Sequence, residues 1–166
     1  MPNEIISLVS LLIAMTALLL TLWQNFLTRQ AAQAEVFIEL EQLGREVHWE
    51  DGITLMVSLK DYSDFDTFAK SEPKEIQSQI YDTVHFLNFA AHLVESNFLP
   101  RQKVWDIYFW GFRICNMKLL TWWLQGQRKK KYSPLFVTFE RMCKRVGKIS
   151  DEEIAKFDEK RNRMIR

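Results

Sequence analysis

The stretch Ser7–Thr21, SLVSLLIAMTALLLT, decides how this chain is read. It is apolar enough for a membrane, yet its small and polar residues keep time at Ser7, Ser10, Ala14, Ala17 and Thr21. Alternating steps of three and four residues mark one face of a helix. A helix that only anchors in lipid needs no such face. The spacing therefore predicts a helix with a partner.

Working outward, no charged residue occurs from Ile5 to Thr28, with Glu4 before the run and Arg29 after it. About 20 apolar residues rising 1.5 Å each cross a hydrocarbon core of about 30 Å. Trp23 and Phe26 stand near the end of the run, where amphipathic aromatics favour the interface. Ala32-Gln33-Ala34 has the form of a signal-peptide cleavage site, but MPNE lacks the basic start and the apolar run is too long. A buried core helix is the other rival, and the uncharged run is longer than a domain this small would bury. The expectation is an uncleaved, single-pass transmembrane helix over 1–28. Nearly all Lys and Arg residues follow it, including Arg128-Lys129-Lys130-Lys131, which favours an outer N-terminus and a cytoplasmic C-terminal domain over 29–166.

The periodic face extends through Gln24 and Thr28, with Leu8, Leu11, Leu12, Leu18, Leu19 and Leu22 largely on other faces. Between helices in lipid there is no hydrophobic drive, so association rests on close packing and interhelical hydrogen bonds. Small residues and hydroxyls supply both. Chance is one origin of such a face, since Ser, Thr and Ala are common in these helices. The other readings are a dry helix contact, a wet pore wall, or both in one ring. With one span per chain the partner is another chain, so homo-oligomerisation in lipid is expected.

The 166 residues hold 22 basic and 21 acidic side chains, five Gly and four Pro. Near-neutral charge implies no general nucleic-acid surface, and no sequence-specific nucleic-acid binding is expected. So few turn residues argue against a sandwich or barrel. Cys115 and Cys143 lack CxxC spacing and read as free thiols of a reducing compartment. After Arg29 the helical pattern continues through Val36, Leu40, Leu43 and Val47 and predicts one rod ending near Asp51-Gly52. A short helix and polar connector follow, then a helix capped by Ser71 and running to about Asn97, with Ile76, Ile80, Val84, Leu87, Ala91 and Val94 buried. Pro100 opens a helix to about Gln125, with Trp105, Phe109, Phe112, Leu119 and Trp123 on its aromatic face and Gly126 as its stop. A helix after Ser133-Pro134 carries Phe136, Phe139 and Cys143 through Arg145, and Ser150-Asp151-Glu152-Glu153 starts a charged last one. The fold class is all-α: a transmembrane helix continuing into a small helical bundle.

No P-loop, glycine-rich dinucleotide turn, HExxH or paired-cysteine motif is present, and no cofactor is expected. The histidines are His48, His85 and His92. His85 and His92 share a helix face with Asn88, extended by Tyr81 and Glu95, at the rim of the apolar stripe. Zinc would need ligands about one turn apart and a third from elsewhere, and no third is evident, so no metal site is expected. On composition alone these polar groups satisfy one another or face a neighbouring subunit.

Leu87-Asn88-Phe89-Ala90-Ala91-His92 resembles the Arg-polar-x-x-x-His motif of HEPN ribonucleases, in which two copies in a dimer form one acid–base site for RNA cleavage. Asn88 and His92 take the polar and histidine positions, and Leu87 stands where the arginine belongs. The resemblance thus implies a divergent HEPN-like domain that is not an enzyme, because no cation remains to hold the phosphate. One span, a long helix and a compact helical domain resemble the small membrane accessory proteins of type VI-B CRISPR systems. FLNFAAHLVESNFLPRQKVWDIYFWGF, Phe86–Phe112, is also similar to bacterial membrane-anchored helical domains of unassigned function. The resemblance implies a homo-oligomeric ring of about eight chains forming a pore in the bacterial inner membrane. It further implies an RNA-guided RNA nuclease as functional partner and antiphage defence through membrane depolarisation. The rival expectations are a tethered ribonuclease using Asn88 and His92 with a cation such as Arg101 or Arg113, and a non-catalytic anchored scaffold.

Overall fold

A computed structural model describes residues 2–129, 136–150 and 152, with the backbone alone for 2–10. Among the described residues there are seven helices and no strand. They are α1 (Pro2–Glu46), α2 (Trp49–Ser58), α3 (Phe65–Ser71), α4 (Lys74–Glu95), α5 (Arg101–Lys118), α6 (Trp123–Lys129) and α7 (Val137–Gly147). The all-α class holds: one long apolar helix is followed by a helical bundle. Contacts divide the chain into units 1–39 and 40–166.

The first unit is α1 alone, and every side chain from Leu11 to Ala32 is exposed. Among the described residues α1 is the one helix long and apolar enough to cross a membrane, with a window of mean hydropathy 1.6 and none of it buried. The expected boundary between residues 28 and 29 falls inside this unbroken helix.

In the second unit α4 is the central helix, touching α2, α5 and α7, while α3 and α6 pair with each other. Ile80, Val84, Leu87, Ala91 and Val94 are buried as the period demands, whereas Ile76 is half-exposed. On the neighbouring helices Met56, Val104, Tyr108, Phe112, Phe139 and Met142 are buried as well. Cys115 and Cys143 are free and buried, and burial pushes both thiols well above their ordinary range. Such thiols are poor nucleophiles. Cys115 Sγ lies 3.6 Å from Met56 Sδ.

Three expected boundaries move, each for a local reason. The rod ends at Glu46, not near Gly52, because His48 turns left-handed at φ 50°. The Gln79 amide from α4 donates to Val47 O at 2.9 Å and His48 O at 3.0 Å, which stabilises the break by satisfying freed carbonyls. Gly52 instead lies buried inside α2 against Thr83, where a Cβ would stand 1.8 Å from Thr83 Oγ1. Ser71 closes α3, and Pro73 occupies the cap position of α4. The helix opened by Pro100, α5, stops at Lys118, not Gln125. Trp122 Nε1 donates to Lys118 O at 2.6 Å, and Trp122, Trp123 and Leu124 are all buried. Three consecutive residues cannot share one face of a continuing helix, so the chain turns and restarts as α6. Gly126 is inside α6, where a Cβ would stand 2.1 Å from Phe65 Cβ. α4 ends close to expectation, with Asn97 left-handed at φ 58° and Phe98 N donating back to Leu93 O at 2.9 Å. Ser133-Pro134 and, apart from Ser150 and Glu152, the expected last helix lie outside the described residues.

Candidate functional site

The first candidate is one sector of α1. At about 100° per residue, Ala14, Ala17, Thr21, Gln24 and Thr28 fall within a sector of about 80°. Leu11, Leu12, Leu18, Leu19 and Leu22 occupy a different one, and Ser7 and Ser10 lie where only the backbone is described. Thr21 Oγ1 donates to Ala17 O and Thr28 Oγ1 to Gln24 O, each at 2.9 Å. These hydroxyls have committed their hydrogens to the helix and keep only acceptor capacity. The Gln24 amide makes no hydrogen bond to a described residue, so its donors remain for water or another chain. Asn25, at the edge of the sector, is in the same position. Asn25 breaks the three-four rhythm, so spacing alone does not mark it. Further along α1, Glu35 and Glu39 fall on the same sector and are exposed.

The second candidate is the polar face of α4. Tyr81, His85, Asn88, His92 and Glu95 follow one another at helical spacing, but their surroundings separate them. The His85 ring lies 4.2 Å from Tyr81 and 4.9 Å, edge to face, from Phe136. Its Nε2 is buried with no hydrogen-bond partner among the described residues. Burial holds the imidazole below its ordinary pKa of 6.5, against the opposing pull of Asp82. Asn88 is half-buried and His92 exposed, with His92 Nε2 3.4 Å from Ser96 Oγ. Glu95 accepts from Arg141 Nη1 of α7 at 3.1 Å.

Leu87 is fully buried, so the position where the resemblance would require an arginine points into the core. Arg101 lies 5.7 Å over the Trp105 ring, and Arg113 donates to Ile149 O at 3.2 Å. His85 and His92, two turns apart, are separated by about 10 Å along the helix, too far to share one ion. Among the described residues no three His, Cys, Asp or Glu side chains form a metal-binding group.

His85 carries a pH prediction. The unfolded chain takes up a proton first as pH falls through 6.5, since the folded pKa is lower. Stability is therefore fully present above 6.5 and declines on acidification towards the folded pKa. His85→Phe is expected to flatten this slope in urea titrations at several pH values, with neutral-pH stability held or raised because an unsatisfied buried nitrogen is removed. An unchanged slope would assign the acid sensitivity elsewhere. Comparison with protein-family models, curated proteins and solved structures finds no match for this chain.

Proposed function

We propose that this chain is a single-pass pore-forming membrane protein that assembles as a ring of copies and acts beside an RNA-guided RNA nuclease in antiviral defence. The observation that carries the reading is the exposed sector of α1, where small residues and unsatisfied amide groups line one side of a helix apolar enough for lipid. Gln24 stands between Trp23 and Phe26 at the end of the apolar run, and an amide turned towards lipid there without a partner carries a desolvation penalty. A ring removes that penalty by facing Gln24 towards other copies or a water-filled axis. The partner nuclease and the inner-membrane setting follow from the likeness of the α4 motif and chain layout to type VI-B accessory proteins. Asn88 and His92 then serve subunit contact or sensing without catalysis, since Leu87 offers no cation for a phosphate. With the N-terminus outside, Glu35 and Glu39 ring the cytoplasmic mouth and favour cations.

Reconstitution of the full chain in lipid vesicles tests the reading through ion flux, with the subunit number counted in detergent. Flux with a reversal potential shifted towards the cation, from a closed ring of many copies, is expected. A mass of two chains without flux would replace the ring by a scaffold. RNA degradation lost on His92→Ala would instead favour the tethered ribonuclease.

A further inference from the structure

The corner between α4 and α5 leaves one large apolar side chain outside the core. Phe98 is 59% exposed, whereas its neighbour Leu99 is 2% exposed. The turn is firmly made. Asn97 is left-handed at φ 58°, and Phe98 N and Leu99 N both donate to Leu93 O, at 2.9 and 3.0 Å. A turn of this kind ordinarily folds its first apolar residue back against the helix. Here Leu99 fills the core, and the fixed backbone holds Phe98 out.

Arginines gather round it. Arg101 Cζ lies 5.7 Å from the centre of the Trp105 ring, and Trp105 Nε1 donates to Met142 Sδ at 3.1 Å. On the other side of Phe98, Glu95 accepts from Arg141 Nη1 at 3.1 Å. These two links bring α7 to the corner. Arg145, one turn on from Arg141, is exposed and has no ion-pair partner among the described residues. Arg101 has none either, and the ring fixes its guanidinium without consuming the N–H donors. The opposing charges are Glu95 and Asp106, and both are engaged, by Arg141 and by Gln102 at 2.7 Å.

Contacts along α4 tell which end of the bundle the corner occupies. The last turns of α1, from Leu40 to Glu46, belong to the second unit. Gln79 holds the Val47 and His48 carbonyls, while a Cβ on Gly44 would stand 2.9 Å from Cζ of Phe86, two turns further along α4. α4 therefore advances as the numbering of α1 falls. Glu95 lies about 14 Å beyond Phe86, at the end of the unit where α1 enters. The apolar run of α1 ends at Thr28, twelve residues before Leu40. A membrane entered by that run is held close to this unit, at high effective concentration. We propose that the corner docks on the surface of that membrane, with Phe98 among the headgroups and Arg101, Arg141 and Arg145 on anionic lipid phosphates. An exposed aromatic gains by entering the headgroup boundary, and basic groups are drawn to an anionic leaflet within a Debye length. Docking of this kind rests on α1 as a span and needs neither ring nor pore.

Ser96→Cys and Ser78→Cys each place one reactive thiol on the same exposed face of α4, five turns or about 27 Å apart. Cys115 and Cys143 are buried and stay unlabelled. The full chain, with a fluorophore at one site or the other, is reconstituted in vesicles of phosphatidylcholine and phosphatidylglycerol that carry nitroxide headgroups. Quenching at the Ser96 site is expected to exceed that at the Ser78 site several-fold, and to fall in phosphatidylcholine alone. Phe98→Ser should lower it, and Arg101→Gln and Arg145→Gln should each reduce the ratio of docked to undocked chains about fivefold. Helical circular dichroism shows that each variant is folded. Flotation with the vesicles reads the span separately. A chain that floats yet is quenched equally at the two sites would overturn the docking and leave the span standing, whereas a chain that fails to float would overturn both. Quenching indifferent to lipid charge and to both arginines would overturn the phosphate contact. A label at the Ser96 site that responds to short RNA and not to lipid would overturn docking and give the corner to a nucleic acid.

Discussion

Gly52→Ala is expected to lower the stability of the bundle by about 3 kcal/mol, the upper end for overpacking a core, and the melting temperature by about 10 °C. The new Cβ would stand 1.8 Å from Thr83 Oγ1 and 2.8 Å from Thr83 Cβ. Thr83 is fully buried and its hydroxyl donates to Gln79 O at 2.8 Å. Rotating it away forfeits that bond and moves the methyl into the clash. Separating α2 from α4 carries a second penalty, because Gln79 also holds the Val47 and His48 carbonyls where α1 ends. Thr83→Ala removes the nearest atom and should return part of the loss in the double variant, a coupling that a thermodynamic cycle would read directly. A Gly52→Ala variant as stable as the parent would mean that α2 and α4 are not packed at this distance.

The same glycine shows how far the sequence could be read. Periodicity found the α4 stripe because a central helix shows its buried face to several neighbours at once, so the pattern is long and clean. Ile76 alone departs from it. Breaks were harder. Gly52 and Gly126 read as helix stops, yet no described glycine has positive φ, and these two serve close helix approach. The left-handed positions fall instead on His48, Asn97 and Phe136. Composition cannot separate the two uses of glycine, since the distinction lies in Thr83 and Phe65, distant in sequence. The end of α5 was hidden for a similar reason: Trp122 intercepts a carbonyl only because neighbouring helices bury it.

The candidate sites were legible to different depths. The sector of α1 is a property of one helix, so spacing alone places Ala14 through Thr28 on a common side. On α4 the spacing put Tyr81, His85, Asn88, His92 and Glu95 in line, and the line says nothing about partners. Phe136 and Arg141 come from beyond residue 130 and give His85 and Glu95 separate roles.

Replacing both Ala14 and Ala17 with Leu is expected to reduce vesicle ion flux to the background of protein-free membranes. Both residues lie in the sector that would face other copies, and each substitution adds a branched side chain where close approach or an open axis needs none. The variant is more apolar than the parent, so insertion is favoured and lost flux cannot be laid to a helix left in water. Met15→Leu, on the leucine side, adds similar character outside the sector and should leave flux unchanged. Gln24→Leu then separates the two forms the contact can take. If the amide binds water on a pore wall, flux and ion preference change while the subunit count stays. If it binds a neighbouring helix, the interhelical hydrogen bond is lost and the count falls, by a factor of about ten in association for a bond near the upper end of those measured in lipid. Flux undiminished by the paired leucines would place the conducting path elsewhere and reduce the sector on α1 to an anchor.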